Sequence, residues 1–265
     1  VFQSTSAEPL LPARFESFLY NEPRHLRSQM GGESTTFCLQ NHATGTTDAR
    51  LSLFGRDGEA LSPLRATFGG IEAAPDLPAE ALDFFLEAVE TWARSRELTG
   101  LRLTQWPAAY TPDLAARLDA VLQNRGFQRL LTDQNQHLVV DTHPVETLLH
   151  ESARRRLRKA RQAGFRFERW ENPDWAVAHA FIQSARARKG LPLSMSAAEL
   201  RRLGETFPDA VAVFTVRVSG QEVAALGITI QLNARVLYHF LPADAERFLA
   251  YSPTIFLNVG LHDWA

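Results

Sequence analysis

ARVLYHFLPADAERFLAYSPTIFLNVGLHDWA, residues 234–265, places a β-type run, a polar loop and an apolar helical run in direct succession. Aliphatic and aromatic residues dominate Arg235–Leu241, and this composition predicts a strand. Ser252 and Pro253 open the final run, and the pair is typical of a helix start because proline suits the first helical position. A strand that leads through a loop into a helix indicates a sheet covered by helices.

Similar runs recur along the chain and predict an α/β (α+β) fold. In the first half we predict helices at Ala13–Asn21, from Pro78 to Gly100 and at Pro112–Asn124, and strands at Thr35–Asn41, Ala49–Phe54, Ala60–Phe68 and Leu101–Pro107, with two more about a turn near Asp133. In the second half we predict helices at Val145–Ala163, Asp174–Arg188, Ser196–Thr206 and from Ser252 onward, and strands at Phe165–Trp170, Val211–Val218, Glu222–Gln231 and Arg235–Leu241.

The two halves resemble each other in this order of elements, and each contains a helix that ends in Trp-Ala, at Trp92-Ala93 and Trp264-Ala265. We therefore predict two domains, residues 1–141 and 142–265, each a mixed, mostly antiparallel sheet flanked by helices. After its Trp-Ala the first half continues through a strand, a helix and two strands, whereas the second half stops. The second domain is thus expected to lack its last strands.

Composition excludes several classes of protein. Hydrophobic residues make up 45% of the chain and charged residues 22%, as in globular proteins. No apolar run approaches the ~18 residues of a membrane span, and from the first residues we expect no secretion signal. The single cysteine, Cys38, rules out an internal disulfide and fits a reducing compartment, so we expect a cytoplasmic protein. The histidines lack metal-ligand spacing, and we predict no metal.

Charge is distributed unevenly between the halves. Residues 1–141 carry 12 basic and 18 acidic side chains, a balance of −6, whereas residues 142–265 carry 16 and 12, a balance of +4. All basic residues except Lys159 and Lys189 are arginines. Arginine binds phosphate and carboxylate through a bidentate fork, so the bias favours a polyanionic ligand near the second half. A biased base composition of the gene explains the same ratio without a ligand.

Four motifs carry a resemblance to a known family. They are QNRGF at Gln123–Phe127, ALSPLRATFGGIE at Ala60–Glu72, ESARRRLRKARQAGFRFE at Glu151–Glu168 and YSPTIFLNVGLHDWA at Tyr251–Ala265. The order of strands, loop and helix resembles the GNAT acyltransferase superfamily, and the tandem arrangement is similar to the Fem-type peptidyltransferases of peptidoglycan bridge synthesis. The Gln/Arg-x-x-Gly-x-Gly/Ala loop of simple GNAT enzymes is absent from both halves.

The resemblance implies a donor site beside Leu241, with the donor phosphates resting on the helix that opens at Ser252, Pro253 and Thr254. A helix start exposes unpaired N–H groups and a partial positive charge, which suit phosphate, and Arg247 adds a charge-assisted contact. The donor implied is acetyl-CoA or another acyl-CoA. An ordinary Ser-Pro helix start beside a solvated loop is the alternative reading.

Three aromatic or imidazole side chains are candidate catalytic groups. Tyr238 and His239 alternate on the predicted strand and so point to opposite faces of the sheet. His239 has a side-chain pKa suited to collecting the proton of an attacking amine, and Tyr251 or Tyr238 is a candidate for returning a proton to the leaving group. A structural histidine among aromatic residues is the alternative.

Two further sets of residues are candidates for substrate binding. Arg154, Arg158 and Lys159 belong to a basic helix that we interpret as an anion platform, or alternatively as a solvated face. Ser62, Phe68, Gly69 and Gly70 form a candidate acceptor pocket, since paired glycines permit close approach of a ligand. A plain turn is the alternative for that second set.

Taken together, these features predict an N-acyltransferase that moves an acyl group from an acyl-CoA-type thioester to a small-molecule or lipid-linked amine by direct attack. Two alternatives stay open. One is a Fem-type peptidyltransferase that uses aminoacyl-tRNA and acts on a cell-wall precursor. The other is a catalytically inactive GNAT-like binding module. We expect no DNA partner, because the chain is slightly acidic overall.

Overall fold

The computed structural model describes residues 2–4, 11–29, 34–218 and 222–265, with residues 2–4 described by their backbone alone. The chain divides into two compact units, residues 1–137 and 138–265. This division lies within a few residues of the predicted one at 141/142. Each unit holds one sheet flanked by helices, so the predicted mixed α/β architecture is confirmed.

The first unit contains a six-stranded sheet. Its strands are β1 (Phe2–Ser4), β2 (Ser34–Asn41), β3 (Thr46–Arg56), β4 (Glu59–Ser62), β5 (Glu72–Ala73) and β6 (Gly100–Leu103). Their order is β1-β2-β3-β4-β6, with β5 paired to β3. All pairs are antiparallel except β4 and β6, which run parallel.

Helices of the first unit are α1 (Pro23–Ser28), α2 (Ala79–Ser95) and α3 (Pro112–Asn124), with short 3₁₀ turns at Leu19–Asn21 and Ala108–Tyr110. Two parallel strands must be joined by a crossover connection, and α2 forms part of the crossover connection from β4 to β6. Its buried side chains recur at helical spacing, at Leu82, Phe85, Leu86 and Val89. This apolar stripe holds α2 on the core of the unit.

The second unit contains a four-stranded antiparallel sheet in the order β10-β9-β8-β7. Its strands are β7 (Arg166–Arg169), β8 (Val211–Val218), β9 (Glu222–Asn233) and β10 (Val236–Asp244). Its helices are α4 (Glu151–Gln162), α5 (Trp175–Arg188), α6 (Ala197–Thr206) and α7 (Pro253–Trp264), with 3₁₀ turns at Val145–Leu148 and Glu246–Tyr251.

The core of the second unit forms around β9 and α7. Every residue of β9 from Ala224 to Ile230 is buried, as expected of a strand that helices cover on both faces. Leu257 and Leu261 of α7 pack in one cluster with Phe214 of β8 and small residues of β9. Burial of such side chains contributes about 1.5–3 kcal/mol each.

Three sequence predictions are wrong. Residues 13–18 form no helix, because their backbone bonds to other elements instead: Arg14 N–H donates to the Thr47 carbonyl and Phe18 N–H to Glu72. The strand predicted at Ala60–Phe68 stops at Ser62, where Pro63 has no N–H to donate. Residues 127–141 form neither of the two predicted strands.

Residues 127–141 are almost entirely exposed, including several large apolar side chains. Leu130, Leu131 and Val139 are each more than 70% exposed. Their composition favours a strand, but a strand also needs a hydrogen-bonding partner, and none of the described strands pairs with this segment. The segment has a propensity for β structure, but it has no neighbouring strand to hydrogen-bond with. Its backbone is therefore irregular.

Gly260 of α7 is a position where the fold depends on a missing side chain. A Cβ atom built there would lie 2.3 Å from the Phe167 ring of β7. We predict that Gly260→Ala lowers the free energy of unfolding by about 1–3 kcal/mol, because α7 must move away from β7. Urea titration measures the change. Asn258→Ala, at an exposed site on the same helix, is the matched control, and equal effects of the two changes would contradict the prediction.

Candidate functional site

The chain between β10 and α7 makes a sharp turn at Ser252. This serine has a left-handed backbone, with φ 51° and ψ 60°, which is uncommon for a residue other than glycine. Pro253 follows in the first turn of α7, and the Ser252 side chain makes no capping hydrogen bond to the helix. Pro253 has no N–H, and the Ile255 N–H already donates to the Ser252 carbonyl at 2.9 Å. The Thr254 N–H is therefore the first-turn donor that the described contacts leave for an external anion.

Helix α4 brings positive charge to this turn. Arg156 donates from Nη1 to the Ser252 Oγ at 3.4 Å, and Lys159 donates from Nζ to the Ala250 carbonyl at 3.3 Å. The Lys159 ammonium also lies 4.6 Å from the centroid of the Tyr251 ring, a cation–π distance. The basic helix and the Ser-Pro helix start, predicted as separate features, thus meet at one place.

Asp244, the last residue of β10, fixes the start of α7. Its Oδ2 accepts a hydrogen bond from the Thr254 hydroxyl at 3.0 Å. Its Oδ1 and its carbonyl accept hydrogen bonds from the Arg188 guanidinium of α5. Both charged side chains are largely buried, 14% exposed for Asp244 and 21% for Arg188, so the pair is shielded from solvent. The Thr254 hydroxyl is consequently engaged within the fold.

His239 lies on β10 next to an irregularity of the sheet. The register of β10 against β9 shifts between His239 and Leu241, as at a β-bulge. The His239 ring covers Gly227 of β9, where a Cβ atom would lie 2.6 Å from its Nε2. That Nε2 is buried without a hydrogen-bond partner among the described residues, and so is the hydroxyl of Thr229, the residue opposite His239.

Burial lowers the pKa of His239 to about 4. The ring is therefore neutral near pH 7, because the low-polarity surroundings disfavour the charged form. A neutral imidazole with so low a pKa accepts protons weakly, and it serves better as a hydrogen-bonding group. The catalytic role of His239 stays a prediction.

The other predicted residues of this site occupy different positions. The centroids of the Tyr238 and Phe240 rings lie 5.9 Å apart, and Leu241 is buried in β10. The Tyr251 ring packs on Phe165 of the core, with 5.3 Å between the two ring centroids. Arg247 forms an ion pair with Glu222, so its charge is already matched within the fold. Their functional roles stay predictions.

Arg154 and Arg158 point away from the α7 turn. Both are exposed, and neither makes a hydrogen bond or an ion pair within the described part of the chain. Helical spacing places them on the side of α4 opposite Arg156. The basic helix therefore has two cationic edges, one of which faces the candidate site.

The predicted acceptor residues of the first unit are buried. Ser62, Phe68, Gly69 and Gly70 are all buried, and the Ser62 Oγ accepts a hydrogen bond from Gly70 N–H at 3.0 Å. Gly70 has a positive φ of 75°, which suits glycine, and a Cβ there would collide with the Gln105 side chain. Their polar groups are used within the unit, and an acceptor role stays a prediction.

Several residues of the site carry no signal that sequence reasoning used. Asp244 and Thr229 are ordinary polar residues within predicted strands or loops, and their partners lie on other elements. Gly227 does carry a signal, because a glycine inside a strand marks close approach of another group. Read in that way, it would have indicated the contact with His239.

Comparison with known proteins gives the fold. No protein-family model matches the sequence, and no curated protein matches it. Solved structures do match: the crystal structure of FemX superposes with a TM-score of 0.65 over 94% of this chain and 81% of FemX, at 10% identity. The chain has the Fem-type fold. L-PGS from Bacillus licheniformis matches with a TM-score of 0.53 over 92% of this chain and 73% of L-PGS, at 11% identity.

At this level of identity the similarity concerns the fold alone, and it agrees with the α/β architecture of sheets flanked by helices that the sequence predicts. In the ranges that the structure describes, no helix has the length and apolar character needed to cross a membrane. The same ranges contain no group of three or more His, Cys, Asp or Glu side chains arranged to hold a metal ion.

Asp244 offers a direct test of how the start of α7 is held. We predict that Asp244→Asn lowers the free energy of unfolding of the second unit by about 1–3 kcal/mol, because the shielded Arg188 loses its counter-charge. Hydrogen exchange should speed up in residues 252–258. Asp209→Asn removes an exposed carboxylate that has no ion pair among the described residues, and it serves as the matched control. Unchanged exchange at α7 would refute this role of Asp244.

His239 makes stability depend on pH. Its pKa is about 4 in the folded unit and about 6.5 when unfolded, so between these values the unfolded chain binds the extra proton. The stabilisation is complete above pH 6.5 and decreases as the pH falls to 4, by up to about 3 kcal/mol. Urea titrations at pH 7 and pH 5 should show a smaller loss in His239→Gln than in the wild type.

His25, whose pKa burial also lowers to about 4, produces the same dependence in the first unit. His25→Gln is thus the matched variant, and hydrogen exchange measured unit by unit separates the two effects. An identical loss in the wild type and in His239→Gln would show that His239 does not titrate in this range.

Proposed function

We propose that the protein is a transferase that moves an acyl or aminoacyl group from a phosphate-bearing donor to an amine. The observation that carries the proposal is the meeting of Arg156 and Lys159 with the uncapped start of α7. Two cations and a helix start together suit phosphate. In the GNAT superfamily, which the sequence resembles, the donor phosphates rest on the equivalent helix, and the Fem-type fold supports the same reading.

Direct attack is the chemistry that these residues support best. The amine nitrogen attacks the carbonyl carbon of the thioester or ester, the new C–N bond forms, and the C–S or C–O bond breaks. The proton lost by the amine ends on the leaving thiolate or alkoxide. Burial raises the pKa of Cys38, the single cysteine, to about 11, so it is unsuited to act as a covalent nucleophile. The protein then contributes positioning and charge.

An acyl-CoA is the donor we test first, because its pyrophosphate carries two adjacent phosphate groups and two cations, Arg156 and Lys159, meet at the turn. Aminoacyl-tRNA is the second candidate, and one observation favours it. Arg155 is exposed next to Lys159 and makes no ion pair in the described ranges, so it extends the positive surface beyond a pyrophosphate. The acceptor we propose is a small-molecule or lipid-linked amine.

Donor binding is tested by thermal shift with acetyl-CoA, a long-chain acyl-CoA and adenosine 3′,5′-bisphosphate. A ligand at 100 times its dissociation constant adds about 2.7 kcal/mol of stability, which is easily measured. We predict that the double variant Arg156→Gln, Lys159→Gln loses at least about tenfold in donor affinity, since two phosphate contacts disappear. Arg201→Gln, which changes an exposed arginine on α6, is the matched control.

The outcomes separate the candidates. A shift that requires the CoA moiety, with thiol released when primary amines are added, supports the acyl-CoA donor. Binding of aminoacylated tRNA without any CoA shift supports the second donor. Donor binding with no transfer in either assay supports an inactive binding module. Equal donor affinity in the double variant and the wild type would overturn the proposed site.

A further inference from the structure

A mostly apolar cavity of about 400 Å³ lies in the second unit between α4, β7 and α7. Its apolar walls are Leu157, Phe167, Phe256, Val259, Gly260 and Trp264. No residue of β10 or of the turn at Ser252 contributes to it. The volume falls within the range of small-ligand sites, which combine apolar walls with a few polar groups that fix orientation.

Aromatic rings form part of the wall, and packing within the unit holds them in place. The Phe167 ring stacks on Phe214 of β8, with 5.3 Å between the centroids and 9° between the planes. The Trp264 ring packs edge-on against the same Phe214 ring at a centroid distance of 4.8 Å, and 45% of the tryptophan stays exposed. The faces of aromatic rings attract cations, most strongly on tryptophan. The wall is therefore preformed and suited to a cation.

Two charged side chains, Arg161 and Asp263, complete the lining. The Arg161 guanidinium donates from Nη1 and Nη2 to the two carboxylate oxygens of Glu146, so Glu146 matches its charge. These hydrogen bonds contribute most to the raised pKa of Arg161, and the charge of Asp263 contributes least. The Asp263 side chain is 61% exposed, and its closest ion-pair partner in the described ranges, the His262 Nδ1, lies 3.9 Å away, beyond hydrogen-bond distance. The lining therefore carries one carboxylate in excess.

We propose that this cavity binds an organic cation with an apolar body, of the alkylated ammonium class. The body occupies the apolar cavity, and the ammonium lies at the mouth beside the Asp263 carboxylate and the Trp264 ring. Among the described residues that line the cavity, Asp263 alone has a side-chain hydrogen-bond acceptor. A primary ammonium has three N–H groups to satisfy, whereas an alkylated nitrogen has fewer and presents C–H groups to the aromatic rings. The alkylated cation is therefore the better match.

The proposed cation site is separate from the donor site and does not rest on the proposed function. Arg156 and Lys159 contact the turn at Ser252, and neither of them lines the cavity. A failure of donor binding therefore leaves the cation site untouched, and each site has its own variants.

The first test needs no variant. Calorimetry compares benzyltrimethylammonium with phenethylammonium, tetramethylammonium and 3-phenylpropanoate. We expect benzyltrimethylammonium to bind most tightly. Tetramethylammonium should bind at least about tenfold more weakly, because it lacks the apolar body whose burial drives binding. The anion 3-phenylpropanoate should also bind at least about tenfold more weakly, because the excess carboxylate repels it instead of attracting it.

The second test locates the site. Asp263→Asn should lower the affinity for benzyltrimethylammonium about threefold, as expected of an exposed ion pair, whereas Asp209→Asn should retain it. Trp264→Leu keeps an apolar side chain and should also lose about threefold, through the missing aromatic face. The double variant Arg154→Gln, Arg158→Gln should bind at least as tightly as the wild type, because these arginines repel a cation. All these positions are exposed, so the fold is preserved.

Four results would overturn the proposal. Binding of 3-phenylpropanoate as tight as that of benzyltrimethylammonium would show that the cavity does not select positive charge. Equally tight binding of tetramethylammonium would show a charged surface without a site for the apolar body. Equal affinity in Asp263→Asn and the wild type would place the cation elsewhere. Self-association that Trp264→Leu abolishes, with no binding of any cation, would show that a second copy of the chain covers the cavity.

Discussion

The carboxylate of Asp244 is the contact on which the second unit depends. It ends β10, accepts from Arg188 of α5 and from Thr254 of α7, and so ties two helices to one point of the sheet. Because α7 is fixed at its first turn, Ser252 is held where Arg156 and Lys159 of α4 reach it. The cationic turn is thus a product of packing between four elements, none of which forms it alone.

The individual helices and strands of this arrangement can be predicted from the sequence, but the contacts between distant elements cannot. Periodicity predicted the basic helix and the Ser-Pro helix, because helical spacing is a local property. Their contact joins Lys159 to Ala250 across 91 positions, and no local pattern encodes it. The wrong predictions have the same cause. The backbone of residues 13–18 bonds to distant elements, and the strands expected at 127–141 have no partner among the described strands.

The two units differ in the region that follows their fourth strand, which is β4 in the first unit and β10 in the second. In the first unit, Thr104 N–H donates to the Ser62 carbonyl at 2.7 Å and Gly69 N–H donates to the Thr104 carbonyl at 2.9 Å. The ends of β4 and β6 are therefore tied together by the chain itself. In the second unit β10 is the last strand of its sheet as described, and its outer edge has no strand beside it. The proposed chemistry lies in the second unit because Arg156 and Lys159 of α4 meet the start of α7 there.

The irregular run at residues 127–141 has a consequence for the behaviour of the protein in concentrated solution. This segment pairs with none of the described strands, and its exposed leucine and valine side chains can receive a strand from another chain. With a net charge of only −2, repulsion between molecules is weak. Asp133 and Asp141 lie after the two short apolar stretches, residues 130–131 and 138–140, and their charge opposes self-association. We therefore expect substitutions at these two carboxylates to lower the solubility of the protein.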